Sequence, residues 1–295
     1  MSIADTEAGA ALKRRRKLIK GLSASSAIRL GGGLLAIIVF VAIFAPWLSS
    51  QDPIAQDLTK RMVPPFWHPG ADPAHLLGTD HLGRDYLARL LHGARVSLLI
   101  GLGVTLSAGA IGTMLGLAAG YFGGRVDMLI SFVITTRLSL PIVLVALAAV
   151  ALGGASLRTL AIVLSLLLWD RFAVVVRAAA QSLRSREFVE ATRSFGASHL
   201  YIMLRGILPN LRNTLIVVAT LEIANVILLE AALSFLGLGA QPPTPSWGLM
   251  IAEGREHILF DPWLIALPGA GLCLLILAVN LLGDGVRDAL DERSS

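Results

Sequence analysis

Six apolar runs, each about as long as a bilayer-crossing helix must be, constrain this chain more than any other feature of its sequence. They occupy residues 28–48, 94–118, 127–152, 157–177, 213–236 and 263–283. About 20 apolar residues cover the hydrocarbon core as a helix, and a helix satisfies every backbone polar group without water. Of the 295 residues, 55% are hydrophobic and 15% charged, against about 45–50% and 25% in soluble domains. A soluble fold of this length cannot cover so much apolar surface. The expected fold class is an all-α integral membrane protein with six transmembrane helices. Between the third and fourth runs the only turn signal is Gly153-Gly154-Ala155-Ser156, which predicts a very short hairpin.

The net charge of +5 is distributed as a membrane requires. Lys13, Arg14, Arg15, Arg16, Lys17 and Lys20 precede the first run, which ends in Ala45-Pro46-Trp47 without a small-residue cleavage site and reads as an uncleaved first span. With the N-terminus inside, seventeen Lys and Arg fall in the tail to Arg29, at Arg125, from Arg171 to Arg212 and after Asp284; six fall outside, at Lys60, Arg61, Arg84, Arg89, Arg158 and Arg255. The excess of inner positive charge predicts both termini in the cytoplasm. The expected organisation is a basic cytoplasmic tail over 1–27, a six-span domain over 28–283 and a cytoplasmic tail over 284–295. Long segments at 49–93 and 237–262 are outer, and a helical connection at 178–212 is cytoplasmic.

Several chemistries have no sequence support. There is no phosphate-binding G-x-x-x-x-G-K-[ST] loop; Gly31-Gly32-Gly33 lacks the following lysine. No G-x-S-x-G context suggests a hydrolase. A lone Cys273 inside an apolar run can form neither an internal disulfide nor a cysteine metal site. His75, Asp80, His81, Asp85 and His92 fall in the first outer segment without tight metal-ligand spacing, which favours a folded loop that meets a partner.

Polar groups inside spans are costly and face cavities or partners. The candidates are Arg137, Glu222, Asn225, Glu230 and Asn280. Glu222 and Glu230, eight residues apart, lie about 80° apart around a helix, so both can face one seam, either bonding between helices or lining a path. Asp170 and Arg171 are expected to snorkel at a span end. Gly112, Gly116 and Gly120, spaced at i, i+4 and i+8, form a groove for close approach of another helix.

The stretch Glu187-Phe188-Val189-Glu190-Ala191-Thr192-Arg193-Ser194-Phe195-Gly196, continuing to Ile207-Leu208-Pro209-Asn210, resembles the EAA loop of binding-protein-dependent ATP-binding-cassette importers. Thr192 replaces the second alanine of that motif, and Ile207 stands one place late, as in the dipeptide, oligopeptide and nickel branch. Three further segments resemble the C-type permease subunit of that branch. They are Leu77-Gly78-Thr79-Asp80-His81-Leu82-Gly83-Arg84-Asp85, Ala232 to Gly239 continuing through Pro242 to Gly248, and Asn280 to Asp291. The third span departs from the family: Phe132 and Thr135 stand where an Arg and an Asp are usual, and Arg137 is extra.

The resemblance implies a type I importer permease fold and a non-catalytic subunit that binds no cofactor, ATP and Mg being held by partners. The implied partners are a second related permease, two ATPase subunits, a periplasmic or lipoprotein solute-binding protein and the lipid bilayer, with no nucleic acid. It places the chain in the bacterial inner membrane as half of a translocation path for peptides or related small polar solutes. Coupling to the ATPases is implied for Glu190, Ala191, Gly196, Ala197, Leu200, Tyr201, Arg205 and Pro209, and an outer-loop role for Gly78, Thr79, Asp80, Gly83, Arg84 and Asp85. Gly196 permits a tight turn between two short helices, Pro209 marks a stop after the second, and Phe195, Leu200, Tyr201, Ile202 and Leu204 offer apolar surface to a groove. Rival readings are an interfacial helix lying on lipid for this segment, a secondary transporter with Glu222 or Glu230 as coupling carboxylate, and a membrane scaffold without transport.

Overall fold

The computed structural model describes residues 26–291, so nearly all of the basic tail expected over 1–27 lies outside the described residues. Ten helices succeed one another: α1 (Ser26–Leu48), α2 (Tyr86–Phe122), α3 (Gly124–Leu138), α4 (Ile142–Gly153), α5 (Leu157–Leu167), α6 (Trp169–Arg184), α7 (Glu187–Ser194), α8 (His199–Phe235), α9 (Trp247–Gly254) and α10 (Trp263–Asp291). Among the described residues the only β-type pairing is one antiparallel bridge, Thr79 with Asp85. Five stretches are long and apolar enough to cross a membrane: α1, α2, α5 with α6, α8 and α10. The sixth is the pair α3 and α4, bent by 88°.

That bend corrects the expectation of one helix over 127–152. Ser139 and Leu140 end α3 by bonding back to the carbonyls of Thr135 and Arg137. Pro141 follows with extended ψ of 119°. It has no N–H to continue the ladder, and its ring disfavours helical backbone at Leu140. The short hairpin is present: Gly154 takes φ +81°, and Ser156 caps α5 by accepting the Thr159 N–H at 3.1 Å.

Pro209 also behaves otherwise than expected. It does not stop a helix; α8 runs through it from His199 to Phe235. One wide π turn, Ile202–Ile207, precedes it, and the Leu208 N–H reaches the Met203 carbonyl. The i→i+5 spacing makes room for a residue that can neither donate nor tolerate the carbonyl four places back. At the other end of the chain, helix persists to Asp291, through most of the segment read as a tail.

The glycine triplet works as its spacing implies. A Cβ on Gly112, Gly116 or Gly120 would collide with the backbone carbonyls of Trp169, Ala173 and Arg177 respectively, all on α6. Three apolar clusters complete the packing. One joins α1, α2 and α8–α10 around Trp247, Ile227 and Leu275; a second joins α2–α6 and α8 around Leu160, Leu164 and Trp169. A third lies where α6, α7 and α8 meet α2. Large apolar side chains such as Ile37, Phe40, Leu99, Leu106 and Met128 point outward, as lipid or a partner helix requires.

Candidate functional site

At the end where α6 gives way to α7, the chain builds a projecting elbow. Glu187 and Glu190 occupy the first turn of α7, where carboxylates favour the helix dipole. Gly196 closes α7 with φ +79°, its N–H on the Arg193 carbonyl at 2.9 Å and the Ala197 N–H on the Thr192 carbonyl at 3.3 Å. This is the glycine-terminated helix end that only a residue without Cβ adopts freely. Ser198 then starts α8 by accepting the Tyr201 N–H at 3.3 Å.

The inner side of the elbow is pinned. Val189, Ile202, Ile207 and Leu211 pack with Leu117, Tyr121, Val176 and Ala180. The Tyr121 hydroxyl lies 2.8 Å from His199 Nδ1, and the Arg193 guanidinium sits over the Tyr121 ring. The outer side is open: Phe195 is 91% exposed, with Leu200, Tyr201 and Leu204 beside it. Ile202, grouped with them in the sequence reading, is buried, because the π turn rotates it under the elbow. Glu190, Ala191, Arg205 and Pro209 are exposed and Ala197 half-exposed. Among the described residues the Glu190 carboxylate has no hydrogen-bond or ion-pair partner, which leaves the dipole of α7 as the interaction within the chain that favours it.

The in-span polar groups fall into two separate sets. Arg137, at the end of α3, pairs with Asp170 of α6 at 2.9 Å, and Arg171 pairs with Glu222 of α8 at 2.9 Å. Asn225 donates to the same Glu222 oxygen at 3.4 Å. Asp170 therefore does not snorkel. It is fully buried, since the break at Leu168 between α5 and α6 turns it inward toward the bend of the third span. Glu230 stands apart and accepts the Ser234 hydroxyl at 2.7 Å. Asn280 is half-buried and joins neither set.

The opposite end carries a folded cap made of residues 49–85 and the segment around α9. Gly78 and Gly83 have φ of +77° and +74°, and a Cβ on either would strike the carbonyls of Val63 and Asp57. Thr79 donates to the Lys60 carbonyl at 2.5 Å and accepts the Val63 N–H at 2.9 Å. Asp80 accepts the N–H groups of Leu82 and Arg84 and the Arg84 Nε at 2.6 Å. Asp85 caps α2 through the Ala88 N–H at 2.7 Å and holds His75 Nδ1 at 2.9 Å.

Arg89 and Glu253, absent from the sequence reading of this site, complete it. Arg84 and Arg89, both 0% exposed, share the Glu253 carboxylate at 3.0 and 2.6 Å, which locks the first outer segment to α9. A lone acid in the apolar stretch 247–254 was the available signal. Outside this buried knot, the Thr59 hydroxyl and N–H hold the Asp57 carboxyl below its usual range, and the Lys60 ammonium does the same to Asp72. Burial pushes the imidazole pKa of His81 below its ordinary value.

Comparison with known proteins decides what these parts belong to. Residues 112–295 match the model of the binding-protein-dependent transport system inner membrane component, and residues 20–65 that of the N-terminal TM domain of oligopeptide transport permease C. The chain belongs to this family of inner membrane transport components. It is 45% identical over 264 residues to a di/tripeptide transport system permease protein of Pseudomonas aeruginosa, covering 89% of this chain and 87% of the relative. A dipeptide transport system permease protein of Escherichia coli is 44% identical over 259 residues, covering 88% and 86%. A probable D,D-dipeptide transport system permease protein of the same organism is 38% identical over 279 residues, covering 94% and 90%. The fold is that of a methionine ABC transporter solved in inward-facing conformations, at 18% identity and a TM-score of 0.55, covering 68% of this chain and 95% of that one.

The permease is thus a multi-pass inner membrane subunit of an importer that works with an ATPase and a solute-binding protein. The elbow, α6 and the end of α2 from Gly112 lie in the stretch matched by the inner membrane component model, whereas α1 and the start of the cap fall in the match to permease C.

Proposed function

We propose that this permease serves an importer of di- or oligopeptides, pairs with one related permease and two ATPase subunits, and transmits their motion through the elbow at Gly196. The observation that carries the reading is the two-sidedness of that elbow. Its base is fixed to α2 and α6 by buried apolar contacts, while Phe195, Leu200, Tyr201 and Leu204 stand exposed on the other side. An apolar ridge on a rigid base suits a groove in a second protein, and force applied to it passes directly into α2, α6 and α8. Closure of the ATPases on nucleotide would then rock the two permeases between packings. The peptide class rests on the peptide-transport relatives, with selectivity residing largely in the binding protein. The coupling-carboxylate alternative has no comparable support: Glu222 and Glu230 are engaged by Arg171 and Ser234.

Gly196→Asp and Glu190→Lys test the elbow. Gly196 has open space around its missing Cβ within the chain, so the substitution acts through its positive φ and through the interface. Both variants are expected to insert and pair with the other permease, with peptide uptake reduced at least tenfold and ATP hydrolysis no longer stimulated by cargo. Wild-type stimulation and uptake in both would remove the elbow from the transmission path.

The proposed orientation puts the elbow and both termini in the cytoplasm and the cap in the periplasm, following the seventeen-to-six basic asymmetry. A reporter fused after Ser295 should be active only in its cytoplasmic form. Activity only in the periplasm would invert the assignment.

A further inference from the structure

We propose that the cleft between α1 and α2 is a phospholipid site, with an acyl chain in the cleft and the phosphate on Arg95. The cleft has a volume of about 530 Å³. Leu35 and Val39 of α1, Leu98 and Leu102 of α2, Ile223 of α8 and Leu282 of α10 line it. Only two lining residues are polar, Arg95 and Thr220. The Thr220 hydroxyl is satisfied within its own helix by the Val217 carbonyl at 2.9 Å. Arg95 is not satisfied: it is exposed and has no hydrogen bond or ion pair among the described residues.

An arginine at such a place needs an anion. Two other arginines within the spans, Arg137 and Arg171, have carboxylates at 2.9 Å. An unpaired guanidinium facing hydrocarbon is costly, and its stem reaches toward the membrane surface. Along α2, Arg95 is the lining residue nearest the cap, nine residues after Tyr86, about 14 Å into the helix at 1.5 Å per residue. From Arg95 the lining runs on to Leu102, about 10 Å further along α2. A cation at one end of a narrow apolar slot matches one molecule with a phosphate at one end and a hydrocarbon chain behind it. The guanidinium fork takes phosphate oxygens in pairs. Conversely, a partner helix laid in the slot would have to bring a carboxylate to the same point, and nothing in the chain signals it.

Native mass spectrometry of the complete transporter, delipidated and then titrated with phosphatidylglycerol or with diacylglycerol, tests this. The expected result is one retained phosphatidylglycerol per copy of this permease, with diacylglycerol bound at least tenfold more weakly. Arg95→Gln should lower phosphatidylglycerol occupancy at least tenfold at matched concentration. Val39→Trp, which fills the slot and keeps the cation, should do the same. Equal retention by wild type and both variants would overturn the site. So would equal binding of the two lipids, which would mean a slot without headgroup recognition. Loss of the second permease from Arg95→Gln, with lipid retention unchanged, would identify a protein carboxylate as the counter-ion and overturn it equally.

Discussion

Glu253→Ala is expected to destabilise the cap by about 3 kcal/mol, the lower end of what is seen when one partner of a buried ion pair is removed. Arg84 and Arg89 both lie fully inside the cap, and Glu253 supplies one oxygen to each. Without it, two guanidiniums face a single carboxylate, Asp80, which already accepts from two backbone N–H groups and from Arg84 Nε. Arg84 Nη1 and two nitrogens of Arg89 have no hydrogen-bond partner even with Glu253 present, so the site has no spare acceptor. The Glu253 side chain is 16% exposed, which lets water reach its vacated place and keeps the loss from the upper end of the range. The paired change Arg89→Leu with Glu253→Leu should cost less than Glu253→Ala alone, because it removes one buried cation together with the acid and leaves Arg84 with Asp80. Trp247 and Trp263 border the cap, so tryptophan fluorescence during thermal unfolding of the purified complex reports on it. Proteolysis within 49–85 gives a second readout. A midpoint for Glu253→Ala indistinguishable from the parent would show that the knot contributes nothing.

That network marks the boundary of what the residues alone disclose. Gly78 to Asp85 could be read as a folded turn because glycines, a capping aspartate and an Asp with Arg four places on are local signals. Their acceptor Glu253 is 169 positions from Arg84, and no local rule connects the two. The same divide runs through the spans. Glycine spacing depends on one helix and was legible; the partner was not, nor was the inward turn of Asp170, which follows from the break at Leu168. Two of the misreadings share a cause of another kind. Pro141 and Pro209 are both prolines in apolar surroundings, and a proline permits several outcomes. At Pro141 the preceding residues leave the helix and the chain bends by 88°, whereas at Pro209 a π turn absorbs the missing donor and the helix continues. Which outcome wins depends on packing: Ile202 and Ile207 are buried against α2 and α6, holding the π turn in place, while Leu140 is exposed and nothing holds it helical.

Gly112→Leu and Gly116→Leu should each prevent the permease from accumulating as a folded protein, at a cost above about 4 kcal/mol. The obstacles to a side chain at these positions are the carbonyls of Trp169 and Ala173, which are backbone and cannot rotate away. Separating the two helices to admit Leu would pull α6 from the floor of the elbow, where Val176 and Ala180 pack with Tyr121 and Leu117. It would also move Asp170 away from Arg137. No hydrophobic effect between helices in lipid restores such a contact, since the exposed surface is as well solvated by acyl chains as by the partner. Even Gly116→Ala should cost about 1–3 kcal/mol, the usual penalty of overpacking. Gly103→Ala is the control, because nothing lies within 4 Å of a Cβ there and alanine favours helix over glycine by about 1 kcal/mol. On α2, then, one substitution at two glycines should have opposite signs. Thermal midpoints of the detergent-solubilised complex for the two alanine variants decide it: a Gly116→Ala protein as stable as Gly103→Ala would mean that α2 and α6 do not pack backbone to backbone.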